Sequence, residues 1–489
     1  MKVKTLLITL TVMGATSCGC SHDGKVTANL PSEEVAVFTS SDPQLQKSYE
    51  WAKKTALSYS HDGSDPVGLW YEAALPNREA FCMRDVSHQS VGAQILGLVP
   101  HNKNMFTLFV NNISEPKDWC SYWEINRYNK PAPADYLNDK EFWYNLNANF
   151  DVMQACLKLY RWTGDADYVK GDNFLHFFDR SVNEYIDRWN LSPESIMQRE
   201  ANMNGPEQFD RSNSFHVCRG LPSYVENVPG VTVGLDLLAA LYAGYGSYAV
   251  IASINGEPEK AAKAHENAAR YQEIIEQKWW DADNGRYHTA MLSGGDFRRG
   301  EGVPYITWFN VTDDDDRARG VLEDILACQW NVENLSHFPE MFYRYGYNDE
   351  AYAYLVSLPS MSRSEYPEVS YGVVEGCVCG AMGFRPDYAG KCVETLSHIT
   401  TPKADSSIKN VRVFDGYMTV RHVGNDYTEI TNDTSEDVVW RVSFLGEFSS
   451  VEAGGKTYPV TRQTDLKGNT FSTAEIALKG GTSLNAHAV

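Results

Sequence analysis

Four stretches of the chain place carboxylates, arginines and large aromatics within a few residues of one another. Trp70 to Gln89 holds Arg78, Glu79, Arg84, Asp85 and His88. Asp118 to Tyr128 adds Trp119, Trp123, Glu124 and Arg127, Met197 to Glu200 adds Arg199, and Ser362 to Val369 adds Glu365, Tyr366 and Glu368. A sugar presents apolar C–H faces and many hydroxyls, so aromatic platforms beside charged hydrogen-bonding groups suit it. Splitting a glycosidic bond takes two carboxyl groups on opposite sides of the anomeric carbon, one holding a proton and one acting as base or nucleophile. Glu79, Glu124, Asp85, Glu365 and Glu368 are the candidates. The arginines outnumber what a neutral sugar needs, which points to a sugar acid held by a guanidinium fork.

Each candidate also has a purely structural reading. Asp85 stands just ahead of a helical pattern, where it could cap the helix. Glu124 can pair with Arg127, and one of Glu365 and Glu368 can serve a helix N-terminus. His88, one turn beyond Asp85, suits a core or capping role as well as a substrate contact.

Helices must position these stretches. Apolar residues recur at helical spacing over Pro43 to Ser60, Asp85 to Leu98, Asn102 to Ile113, Phe142 to Trp162 and Phe174 to Trp189. The pattern resumes over Val231 to Ile254, Glu257 to Trp280, Asp313 to Gln329, Asn348 to Leu358 and Val369 to Met382. Asp42-Pro43, Thr163-Gly164 and Asn255-Gly256 punctuate helix starts and ends. The acidic run Asp313 to Asp316 precedes a helix and complements its dipole. Alternating short and long connections predict stacked helical hairpins, with function on the long loops. After about residue 400 the pattern changes to apolar–polar alternation with Gly turns, which predicts a small β-sandwich module acting as a buttress.

The chain has 489 residues and a formal charge of −21, which disfavours nucleic acid and anionic membrane surfaces as partners. No apolar run in the body approaches the roughly 20 residues a membrane span needs. The ten cysteines lack zinc spacings and read mainly as buried free thiols. Lys2 and Lys4, the apolar run Leu6 to Ala15 and the small residues before Cys18 form an export signal. Cys18 looks like the acceptor of a bacterial lipoprotein anchor, although Ala15 stands where Leu is usual. Cys20 is a second candidate, and plain secretion is the alternative. The expectation is an exported lipoprotein on the periplasmic or outer face of a Gram-negative outer membrane.

The turn Trp162 to Asp165, the stretch Lys278 to Tyr287 and the run from Glu365 to Asp387 resemble connectors of six-hairpin, (α/α)6-toroid glycosidases. Trp70 to Gln89 and Trp119 to Tyr136 are similar to lipoproteins of Gram-negative polysaccharide degraders, in a family that includes β-glucuronidases. The resemblance covers about residues 45 to 390. It implies a mainly α chain: signal peptide 1–17, anchor and linker 18–42, catalytic toroid 43–395 and β-sandwich 400–489. It also implies an inverting, exo-acting hydrolase of plant- or host-type saccharides, without cofactor, with glucuronate among the candidate sugars. Glu365 or Glu368 would be the base, and Glu79, Glu124 or Asp85 the acid. Arg78, Arg84, His88, Trp119, Trp123, Arg127, Arg199 and Tyr366 would hold the sugar. A polysaccharide lyase or unsaturated-uronide hydrolase on the same fold is one alternative. A non-catalytic glycan-binding lipoprotein is another, of a different class.

Overall fold

The computed structural model describes residues 35–75, 77–401 and 403–489. The residues expected to form an export signal, and Cys18, lie outside the described residues. Twelve helices, alternately outer and inner, carry the body of the fold. In chain order they are α1 (Pro43–Ser58), α2 (Met83–Ile95), α3 (Val99–Asn111), α4 (Ala148–Thr163), α5 (Asp172–Val182) and α6 (Leu235–Ile254). They continue with α7 (Pro258–Ile274), α8 (Pro304–Trp308), α9 (Asp315–Ala327), α10 (Phe338–Arg344), α11 (Asn348–Ser357) and α12 (Pro367–Glu375).

The even-numbered helices pack in a cycle. α2 meets α4, α4 meets α6, α6 meets α8, α10 meets α12, and α12 returns to α2. The α8–α10 step is made by side chains: Arg344 donates to the Trp308 carbonyl at 3.1 Å and Tyr345 to the Thr307 carbonyl at 3.0 Å. Odd-numbered helices lie outside, α1 on α12, α3 on α2, α7 on α6, α9 on α8 and α11 on α10.

Local chemistry explains the boundaries. Asp42 caps α1 by accepting from the amides of Gln44 and Leu45, and Asp314 does the same for α9. Gly164 ends α4 at φ 69°, and a Cβ there would sit 2.7 Å from the Tyr388 ring. Glycine is therefore required twice over, by the left-handed backbone and by the contact. In α2, a Cβ on Gly92 would collide with the Tyr371 carbonyl, which is how α2 and α12 come close.

Several sequence expectations change. α6 is 20 residues long and apolar enough to cross a membrane, contrary to the expectation that no such run exists, but its most apolar 18-residue window is 72% buried. Its lack of a polar face follows from being covered over most of its surface. The helix expected over Phe142 to Trp162 starts at Ala148, because Tyr144–Asn145 pairs with Arg219–Leu221 as strand. The one expected over Phe174 to Trp189 breaks at Asn183. α8 and α10, of five and seven residues, are too short to show a period in the sequence.

The C-terminal region has two sheets. One runs Val37–Ser40, Asp405–Val413, Gly416–Val423, Tyr427–Asn432, Thr482–Ala488, Ser450–Ala453 and Lys456–Pro459. The other runs Arg385–Asp387, Cys392–Leu396, Val438–Leu445, Thr470–Leu478 and Thr461–Thr464, with one parallel pair, Cys392–Leu396 on Val438–Leu445. Residues alternate between buried and more exposed along these strands, as one-sided sheets require. Val37–Ser40, read from sequence as linker, is an edge strand pairing antiparallel with Asp405–Val413. The described cysteines are free thiols, buried except Cys328, which is exposed.

Candidate functional site

A cavity of about 250 Å³ opens where α2 and α12 begin. Arg78, Arg84, Asp85, Trp123, Glu124, Asp135, Trp143, Glu226, Glu333, Tyr366 and Glu368 line it. An adjoining cavity of about 390 Å³ shares Arg84, Glu226 and Glu333 and adds Tyr224, Glu301 and Arg363.

A short antiparallel ladder assembles one wall. Ala80–Cys82 pairs with Glu124–Asn126 so that Cys82 faces Glu124, and α2 starts at the next residue. Residues 42 apart in sequence, Cys82 and Glu124, are thereby neighbours. The chain then doubles back through a bridge between Ile125 and Pro131, which returns Asp135 to the same wall. Arg78 Nη1 donates to Glu124 at 2.9 Å and to Asp135 at 2.6 Å. Burial raises Glu124, and the charge and hydrogen bond of Asp135 raise it further, to about 9 despite Arg78. This carboxyl keeps its proton at neutral pH.

Helix starts supply two more of the lining carboxyls. Asp85 is in the first turn of α2, and Glu368 follows Pro367 in the first turn of α12. Asp85 does not cap α2. The capping position is Cys82, which makes no side-chain cap, and Asp85 instead accepts from Arg84 Nε at 3.1 Å. Burial raises Asp85 against the pull of Arg84. Burial pushes Glu368 well up, with Asp85 and Glu333 adding to it, and its Oε2 is buried without a hydrogen-bond partner. Glu226 and Glu301 are also raised, mainly by burial.

The arginines divide into two kinds. Arg127 is a staple, binding Asp65 through Nε and Nη2 (2.9 and 2.6 Å) and Glu79 through Nη1 (2.7 Å). It therefore pairs with Glu79, and Glu124 is left to Arg78. Arg199 is buried and donates to the carbonyls of Trp189, Thr232 and Gly220, so it holds loops together and lines neither cavity. Arg84 differs. It lies between Trp123 and Tyr224, 5.6 and 5.2 Å from their ring centres, and its hydrogen bond to Asp85 uses only Nε. Its terminal nitrogens belong to a side chain lining both cavities.

Other expected residues fall outside these cavities. Glu79 is exposed and tied to Arg127, and Glu365 is exposed with its backbone carbonyl accepting from Tyr59. Trp119 sits under Arg180 at 5.1 Å. His88 is buried in α2, with Nε2 3.6 Å from Asp151 and its ring against Trp308 and His337. Burial lowers its pKa and keeps it neutral, and it lines neither cavity. Asp135, Glu226, Glu301, Glu333, Trp143 and Arg363 line the cavities without having been anticipated. They stand in irregular loops or a one-turn helix, and all but Arg363, which lies within Ser362 to Val369, are outside the four stretches.

No known family profile and no curated protein matches the sequence. Solved structures do match. An alpha-L-rhamnosidase from Dictyoglumus thermophilum superposes with TM-score 0.63 at 12% identity, over 93% of this chain and 50% of that one. A Streptomyces avermitilis alpha-L-rhamnosidase complexed with L-rhamnose gives 0.57 at 11% identity, over 92% and 42%. A sialidase gives 0.52 at 11% identity, over 79% and 38%. The chain thus spans half or less of the length of these proteins. At such identities the likeness is one of fold, and the chain has the helical fold on which those glycosidases are built.

Proposed function

We propose that this protein is an exo-acting, inverting glycoside hydrolase on an (α/α)6 toroid, and that it removes a terminal uronic acid, with glucuronate the first to test. The observation that carries the reading is the Glu124–Asp135 pair, in which Glu124 is raised to about 9 and so keeps its proton at neutral pH, in a cavity that Asp85 and Glu368 also line. In the first step Glu124 gives its proton to the glycosidic oxygen as the bond to the anomeric carbon breaks. A water on the opposite face attacks that carbon and loses a proton to the Asp85–Glu368 pair. Arg84 favours ionisation on the Asp85 side of this pair. Inversion requires a carboxyl separation of about 6.5–9.5 Å, enough for that water.

The uronate assignment rests on Arg84. A half-buried guanidinium using only Nε can present its terminal fork to a carboxylate, with two aromatic rings within 5.6 Å to support it. The deciding assay offers the purified chain aryl β-D-glucuronide, aryl β-D-glucoside and aryl α-L-rhamnoside. Release from the glucuronide with inverted product supports the reading. Turnover of the rhamnoside alone would replace glucuronate with a neutral sugar. Ultraviolet absorbance from an unsaturated uronide would make the protein a lyase, and binding without release would make it a glycan-binding protein. Export with a lipid on Cys18 remains part of the proposal, tested by the mass of the N-terminal peptide from cells.

A further inference from the structure

The inner helices enclose a second cavity at their other ends, of about 340 Å³. Lys158 and Arg161 come from the end of α4, Arg344 from the end of α10 and Glu375 from the end of α12, with Arg385 and Glu340 completing its charged lining. Four cations line it with two carboxylates in a protein whose overall charge is −21; Arg161 is 3.8 Å from Asp387 outside the lining, which leaves Lys158, Arg344 and Arg385 against Glu340 and Glu375. Cations at helix C-termini complement the dipoles, and that would account for one or two of them. It does not account for a concavity within the range of small-molecule sites, about 300–1,000 Å³.

The internal pairing leaves positive charge over. Glu340 accepts from Arg385 at 2.9 Å and lies 3.5 Å from Arg344, whose Nε is buried without a hydrogen-bond partner. Burial raises Glu340, but Arg344, Arg385 and Lys158 outweigh it and keep the group ionised. Glu375 is raised by burial to about 7, so it offsets only part of Lys158 near neutrality. Trp308 supplies an aromatic wall, with its ring stacked on His337 at 4.1 Å.

We propose that this lower cavity is a second binding site, which takes a small organic anion of sugar size through its carboxylate. Lys158 and Arg344 meet the carboxylate, and Trp308 meets the apolar face of the ring. The proposal does not depend on the hydrolase reading, because nothing in the lower cavity enters the reaction.

Calorimetric titration of the full chain with D-glucuronate, inorganic phosphate and D-glucose tests it. The Arg84→Met variant removes the upper carboxylate receptor. Glucuronate is expected to bind this variant, and adding Lys158→Met should weaken binding about tenfold. Gln154→Trp, which fills the cavity and keeps its charges, should weaken it as well, with thermal melting checking that each variant folds. Glucose should give no heat. The proposal is overturned if Arg84→Met abolishes glucuronate binding, or if Lys158→Met and Gln154→Trp both leave it unchanged. Phosphate binding as tightly as glucuronate would also overturn it, in favour of an inorganic anion site.

Discussion

Glu79 and Asp85 are six residues apart, and Glu365 and Glu368 only three, yet one member of each pair lies outside the cavity and the other lines it. Asp85 and Glu368 are in the first turns of α2 and α12, where the helix directs them into the ring. Glu79 and Glu365 precede those helices, on loop backbone that leaves them in solvent. Glu79 even takes a left-handed φ of 50°. The same residue type in the same stretch is therefore placed by helix phase rather than by proximity in sequence. The chemical difference follows: burial raises Asp85 and Glu368.

Removing the proton donor is the hardest test of this division. Glu124→Gln should lower kcat on a poor leaving group by about 10³-fold with little change in KM, as loss of a general acid does. An aryl glycoside with a good leaving group should suffer less, since it needs less protonation. Equal losses on both substrates would mean that Glu124 holds the wall together instead of donating.

Arg84→Met comes next. It should cut kcat/KM for a glucuronide by about 10²-fold while leaving any weak glucoside turnover unchanged, because only the charged substrate uses the guanidinium fork. Parallel losses on both would assign Arg84 to positioning Asp85, its partner at 3.1 Å.

Much of the fold was legible from period and punctuation, and the limits have physical causes. α1 announces itself through Asp42-Pro43, and α4 through Gly164. The inner helices α8 and α10 are too short to show a period, so two members of the ring stayed hidden. For the candidate site, Arg78, Arg84, Asp85, Trp123, Glu124, Tyr366 and Glu368 stood out through local clustering, and they line the cavity. Asp135 did not, because Pro131 to Asp135 contains no arginine or large aromatic, and its role depends on a bridge that brings it back to Arg78. Arg127 and Arg199 misled for the converse reason. Arginines concentrated in loops include those that tie the loops down.

A pH profile sharpens the comparison at a finer scale. The general acid works only while protonated, so kcat/KM should fall as pH rises through about 9, the value to which burial and Asp135 lift Glu124. Asp135→Asn removes the neighbouring negative charge and should move that alkaline limb toward lower pH by about one unit. An unmoved limb would assign it to another group.

The smallest effects belong outside the cavity. Glu79→Gln and Glu365→Gln should each keep kcat/KM within about twofold, since surface ion pairs contribute little. Glu79 is half exposed and shares Arg127 with Asp65, which holds that guanidinium through two bonds of its own. Losing the Glu79 carboxylate therefore leaves the loop tied. Glu365 contributes its backbone carbonyl to Tyr59, a contact that the Gln substitution preserves. If either variant lost activity as Glu124→Gln does, helix phase would not be what separates reacting carboxylates from bystanders. The catalytic pair would then have to form across a loop that closes over bound sugar.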